Sequence, residues 1–185
     1  MEEGNTYFER IAPEWDRLRQ GYFTEEVRQA VLDQALPQPW MRAADVGSGT
    51  GFLALGLAPL VAEVHCIDAS PAMLEQAEAN LGEQRNVHFH VADGATLPLE
   101  DGTMDLAVAN MYLHHIPEPI VALREMARIL RPAGQLILTD MDQHHEEWMR
   151  AEMADVWLGF PRAQVQTWLQ EVGLEGVRVG SPGQT

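Results

Sequence analysis

The 185-residue chain contains no lysine and a single cysteine, Cys66. Without lysine there can be no pyridoxal Schiff base, no lysine nucleophile and no lysine-bearing phosphate loop. One cysteine can neither close an intramolecular disulfide nor furnish a cysteine-rich zinc site, so nothing points to an oxidising compartment and a cytoplasmic home is expected. Long hydrophobic runs are missing as well. The longest largely apolar stretch, residues 52–62, is too short to span a bilayer and is interrupted by Pro59, and the acidic start Met1-Glu2-Glu3 does not resemble a signal peptide. Basic charge is scarce: twelve arginines face 28 acidic residues, a formal net charge of -16. Nucleic-acid binding draws its affinity from basic side chains on phosphates, and the arginines form no cluster along the chain, so neither a nucleic-acid nor a membrane partner is expected. The negative charge reads as a solubility device.

What is present is an ordinary globular composition, 46% hydrophobic and 22% charged, in a length suited to one domain. Residues 1–39 read as helical, with Thr24 placed to cap a helix whose first turn carries Glu25 and Glu26, preceded by the aromatics Tyr7, Phe8, Trp15, Tyr22 and Phe23. From Met41 onward strand and helix alternate. Strands are expected over residues 41–46, 63–67, 86–91, 105–110 and 135–139, with helices over 52–60, 71–81 (capped by Ser70, Pro71 in first position), 117–131 and 161–172. Pro132-Ala133-Gly134 reads as a turn ending a helix. This alternation predicts a three-layer α/β sandwich, a Rossmann-like and mostly parallel sheet, whose ligands bind beyond the carboxyl ends of its strands.

The first strand runs into Asp45-Val46-Gly47-Ser48-Gly49-Thr50-Gly51, closely spaced glycines that expose N–H groups and admit a ligand against the main chain. Gly49-Thr50-Gly51-Phe52-Leu53-Ala54 also fits a dinucleotide pattern, and Asp68, ending the second strand, suits a ribose in either case. A nicotinamide-dependent oxidoreductase is therefore one alternative at this point. Val91-Ala92-Asp93-Gly94-Ala95, ending the third strand, places a carboxylate and small residues where the amino edge of an adenine can be gripped.

Taken with Asp68-Ala69-Ser70-Pro71-Ala72-Met73-Leu74, Leu97-Pro98, Leu113-His114-His115 and Leu130-Arg131-Pro132-Ala133-Gly134, these motifs resemble class I S-adenosylmethionine (SAM)-dependent methyltransferases. More narrowly they are similar to the small-molecule subgroup containing the ubiquinone and menaquinone C-methyltransferases, the type 11 methyltransferases. The resemblance implies an enzyme that transfers a methyl group from SAM to a small organic acceptor, leaving S-adenosylhomocysteine. It implies that Gly47, Ser48, Gly49, Thr50 and Gly51 wrap the methionine portion of the cofactor, with Asp45 supporting their loop. Asp68 would hold the ribose hydroxyls, Ala69 and Met73 would line the adenine, Asp93 would accept from its amino group, and Gly94 and Ala95 would contact the ring. Asn110 would offer its main-chain carbonyl to the methionine ammonium. The resemblance divides the single domain 1–185 into a helical lid (1–39), a SAM-binding core (40–140) and an acceptor-side segment (141–185). In that last segment only residues 176–179 look strand-like, one strand fewer than this fold usually has. A truncated chain, a partner chain such as a second copy in a homodimer, or an open edge would each account for it. A non-catalytic SAM-binding module is the other alternative.

Methyl transfer from an activated sulfonium needs mainly alignment and exclusion of water, with a base where the acceptor must lose a proton. His114 is the candidate base, beside His115 at the end of the fourth strand. Tyr7, Trp15 and Tyr22 are candidates for lining a lid over the acceptor, and Asp140 opens a run that faces the acceptor side in this fold. That run, Asp140-Met141-Asp142-Gln143-His144-His145-Glu146-Glu147, holds potential metal ligands. It reads as a solvated helix start capped by Asp142, and no metal is expected from it.

Overall fold

The computed structural model describes residues 2–181, with side chains from Thr6 onward; Met1 and residues 182–185 of the expected domain lie outside the described residues. The helices α1 (Glu2–Leu18) and α2 (Glu25–Ala35) precede β1 (Arg42–Val46), α3 (Phe52–Leu57), β2 (Glu63–Asp68), α4 (Pro71–Leu81), β3 (Val87–Val91) and β4 (Met104–Asn110). There follow α5 (Pro119–Ile129), β5 (Leu130–Thr139), α6 (Trp148–Glu152) and α7 (Arg162–Glu171). The strands lie in the order β3-β2-β1-β4-β5, and every pairing is parallel. Parallel neighbours require crossovers, which α3, α4 and α5 supply. Strand order reverses between β1 and β4, so the loops leaving those two strands splay apart and open a crevice at their carboxyl ends.

Side chains alternate across each strand, and both faces of the central strands are buried, which explains their near-continuous apolar reading. Ala43, Val64, Cys66, Leu106 and Val108 pack on one face against Val31, Leu53, Leu57, Leu74 and Leu81. Ala44, Val46, Ile67, Ala107 and Ala109 pack on the other against Leu123, Met126 and Ile129. Leu57 and Leu123 are wholly buried, and truncating either to alanine is expected to cost about 2–5 kcal/mol. The helix starts are as the sequence suggests: Thr24 Oγ1 accepts from Glu26 N at 3.4 Å, and Ser70 Oγ accepts from Met73 N at 3.2 Å with Pro71 in the first turn.

Three expectations are corrected. Pro132-Ala133-Gly134 is not a turn between helix and strand, because β5 begins at Leu130 directly after α5. These residues form a bulge there, taking up the register slip between Met104↔Leu130 and Leu106↔Gln135, with Ala133 at φ 65°. Residues 176–179 form no strand. Gly176 turns the chain at φ 64°, while Val172 and Leu174 pack against the core cluster on the α5 side of the sheet. Among the described residues the sheet therefore has five strands. Finally, Asp142 caps no helix: its carboxylate pairs with Arg162 at 2.6 Å, and α6 starts only at Trp148, without a side-chain cap.

Candidate active site

A cleft of about 1200 Å³ opens over the strand ends at the reversal point. Its floor is the loop after β1, where Gly47, Gly49 and Gly51 take φ values of 69°, 52° and 85°. A residue with a Cβ is strained in that region, so glycine lets the loop follow this path without that strain. Ser48 lines the cleft with a buried hydroxyl that makes no hydrogen bond. Asp45 lies beneath the loop, its Oδ2 accepting from Ala54 N at 3.0 Å in the first turn of α3. Burial pushes its carboxyl up to about 7, against the pull of the Ala54 N–H and with further upward pressure from Asp68. Thr50 and Gly51 stand behind the wall: Thr50 is buried and donates to Asp16, and Gly51 faces Leu81.

Asp68 ends β2 in the cleft. Its Oδ2 accepts from Gly49 N at 2.8 Å and its Oδ1 from Ser70 N at 2.9 Å, so one carboxylate ties the glycine loop to the start of α4. Burial raises its pKa, opposed by the N–H groups of Ser70, Gly49 and Ala69. Each oxygen retains acceptor capacity. Ala69, Met73, Asp93, Gly94, Ala95 and Asn110 line the same cleft, Asp93 being exposed with its Oδ1 accepting from Ala95 N at 3.0 Å. Tyr112, absent from the sequence reading, lies across this space. A Cβ on Gly47 would stand 2.1 Å from its ring and one on Gly94 1.9 Å from its hydroxyl, so both glycines give the ring its room. Burial, with Asp68 and Asp93 nearby, pushes the phenol pKa up.

Helix α1 lies over the cleft and is fastened by two carboxylates that the sequence reading also missed. Glu9 accepts from Ser70 Oγ at 2.7 Å; Asp16 accepts from Thr50 Oγ1 at 2.7 Å and from Asn80 Nδ2 at 2.8 Å. Tyr7 and Trp15 line the cleft, the Trp15 indole nitrogen lying 3.7 Å from where a Cβ on Gly49 would stand. Phe8 meets the His115 ring edge-on with centroids 4.9 Å apart. Tyr22 is largely exposed and does not border the main cleft; its hydroxyl, like that of Tyr7, reaches Met153 Sδ, at 3.3 and 3.5 Å respectively.

The loop after β4 carries the histidines. Met111 takes φ 52°, and Leu113–His115 form a short 3-10 turn. His114 is buried and does not border the main cleft, whereas His115 does. Asp140 lies beneath the turn: its Oδ1 contacts His114 Nδ1 at 2.7 Å, and its Oδ2 accepts from Leu113 N at 2.9 Å. A carboxylate only accepts, so His114 Nδ1 carries a proton and donates it to Asp140. Burial, with His114 beside it, holds the His115 pKa well below its ordinary value, so that ring is neutral. A side cavity of about 20 Å³, lined by Trp15, Tyr22, Phe23, Met111, Met149 and Met153, adjoins both histidines and the buried Asp155. Nothing in the sequence signals Asp155, which stands 40 residues beyond His115 and reaches it only through the fold.

The family model described as a methyltransferase domain matches residues 44–138, just over half of the chain. The chain is 30% identical over 166 residues to the 2-methyl-6-phytyl-1,4-hydroquinone methyltransferase 1 of Oryza sativa subsp. japonica chloroplasts, an alignment covering 88% of this chain and 50% of that one. It is 31% identical over 148 residues to the demethylmenaquinone methyltransferase of Staphylococcus aureus strain MRSA252, covering 77% and 61%. The chain thus spans between half and two thirds of these relatives' length. In fold it is similar to a SAM-dependent methyltransferase from Aquifex aeolicus, with a TM-score of 0.70 at 23% identity over 84% of each chain. With the motif order, the parallel sheet and the domain match in agreement, the chain belongs to the methyltransferase domain family.

Proposed function

We propose that this chain is a SAM-dependent methyltransferase acting on a small organic acceptor. The observation that carries the reading is the meeting of three separate strand ends in one cleft: the glycine loop after β1, Asp68 at the end of β2, and Asp93-Gly94-Ala95 after β3. The residues fit the cofactor. The loop is held open by left-handed glycines, the Ser48 hydroxyl is buried without a partner, and Asp68 keeps acceptor capacity while its backbone contacts fix its position. Bound SAM supplies a methyl group already activated by its sulfonium. The chain's residues then have three tasks. Gly47, Ser48 and Gly49, with Asp68 and Asp93, bind and orient; α1, with Tyr7 and Trp15, excludes water; His114, buried against Asp140 and off the cleft, fixes the turn that sets His115 at the cleft border. Thr50 and Gly51 act on the cofactor through the shape of the loop.

The hydroquinone and demethylmenaquinone methyltransferases among the relatives support an acceptor with a flat apolar body, which the aromatic lid suits. In this reading residues 1–39 are the lid, 40–140 the cofactor core and 141–185 the acceptor side, and the chain works in the cytoplasm without nucleic-acid or membrane partners. No helix among the described residues is long and apolar enough to cross a membrane. Calorimetric titration with SAM, S-adenosylhomocysteine and NAD tests the proposal, followed by an acceptor screen begun with hydroquinones. Binding of both sulfur ligands without NAD is expected. NAD binding alone would overturn the reading, and SAM binding with no turnover of any acceptor would favour a non-catalytic module.

A further inference from the structure

We propose that His114, His115 and Asp155 form a binding site for a divalent first-row transition ion of the zinc class. One ring nitrogen from each histidine and one Asp155 oxygen lie within 4.8 Å of one another. Asp155 Oδ1 stands 3.7 Å from His114 Nε2 and 3.7 Å from His115 Nδ1. Donors around a tetrahedral zinc stand ~3.4 Å apart at bond lengths of ~2.0–2.1 Å, so the two Asp155 spacings are near that value and the histidine nitrogens draw together around the ion to complete the site.

Four observations converge on it. The Asp155 side chain is 1% exposed and neither of its oxygens accepts a hydrogen bond, a costly state for a carboxylate unless a cation completes it. The charged and titratable groups facing it are His114, His115, His144, Arg150, Tyr7 and Asp140, and Asp140 repels it. His114 donates through Nδ1 to Asp140, the outer contact that orients a metal-bound imidazole, and its Nε2 stands on the side of Asp155. His115 Nδ1 gives up only a long 3.3 Å contact with the Ala154 carbonyl when its proton moves to Nε2. The adjoining cavity of about 20 Å³ has room for roughly one ion or one water.

Two imidazoles and a carboxylate select a zinc-class ion over magnesium or calcium, which favour oxygen ligands throughout. His115 and Asp155 also border the main cleft, so an open coordination position there faces the acceptor. That consequence, an acceptor oxygen held by the ion, rests on the proposed methyl transfer; the metal site itself does not.

The test uses the full chain, stripped with a chelator and titrated with zinc chloride, with cobalt(II) as a visible-absorbance reporter. One ion per chain and strong tetrahedral cobalt bands are expected from the unaltered protein, a result that does not depend on any variant folding. Asp155→Asn and His114→Gln should each weaken binding at least tenfold, while His145→Ala, in the exposed run before α6, should leave it unchanged. Circular dichroism of each variant confirms its fold. No zinc uptake by the unaltered protein, or equal uptake by Asp155→Asn, overturns the site, as does loss of binding in His145→Ala. Binding of methylammonium but not zinc also overturns it, making Asp155 an amine subsite. Zinc uptake without S-adenosylhomocysteine binding would sustain the site while breaking the cofactor reading.

Discussion

The two ends of the cleft, the cofactor end and the acceptor end of the proposed function, are built in different ways. At the cofactor end the groups are mostly backbone: the N–H groups and left-handed turns of the glycine loop, held by one side chain, Asp68, whose two oxygens grip Gly49 and Ser70. At the acceptor end they are side chains from distant segments: Tyr7 and Trp15 from α1, His115 from the loop after β4, and Asp155 from the stretch after α6. The first design depends on short local sequence and can be transplanted with it. The second depends on how three segments pack and can change its chemistry one residue at a time, which is how one fold serves many acceptors.

The sharpest way to break this comparison is Asp68→Ala. Hydrogen bonds to a charged group contribute about 1.5–3 kcal/mol each, so loss of ribose recognition is expected to weaken SAM binding by about 100-fold in calorimetry. Unchanged affinity would place the cofactor elsewhere. The complementary change at the other end is Asp140→Ala, which orphans Leu113 N, Met141 N and the His114 ring. It is expected to cost about 2–4 kcal/mol in urea unfolding while SAM affinity stays within about threefold. A parallel collapse of SAM binding would show that the two ends are not separable.

The lid bridges the two ends, so Asp16→Ala sharpens the picture. Removing its contacts with Thr50 and Asn80 should cost about 1–2 kcal/mol and raise amide exchange in α1 well above that in the sheet. Uniform exchange would mean that α1 is an ordinary packed helix and not a separable cover. The smallest effect expected lies away from both ends, where His65 stacks between His88 and His90 on β2 and β3. Burial, with His90 beside it, lowers its pKa from 6.5 to about 4. The unfolded chain therefore takes up the proton first, and stability is lost as pH falls from about 6.5 towards 4. A loss of about 1 kcal/mol between pH 7 and pH 5, absent in His65→Gln, would place this acid sensitivity at the sheet edge and not in the cleft.

The legibility of the site in the sequence follows the same division. The glycine loop, Asp68 and Asp93 were legible as candidates because turn chemistry and strand ends leave short-range marks: glycines where φ is positive, an acid as the last residue of β2 and another two residues past the end of β3. Thr24 and Ser70 were readable as caps for the same reason. The start of the fifth strand was harder to delimit, and the bulge at Pro132-Ala133-Gly134 read as a turn, because only the register of β5 against β4 shows that the chain is already paired there. Residues 176–179 carry an apolar alternation without a partner strand to meet it.

Local sequence therefore determined the strand and helix order, the conformation of the cofactor loop and the placement of its carboxylates, since all of these are decided by φ preferences, hydrophobic period and capping over a few residues. Only the tertiary structure decided that Asp140 would hold His114, that Tyr112 would lie across Gly47 and Gly94, and that Asp155 would be buried without a hydrogen bond beside two imidazoles. Those contacts join residues tens of positions apart. They exist because the sheet reverses its order between β1 and β4 and brings the loops above it together, a property of packing that no short stretch of the chain encodes.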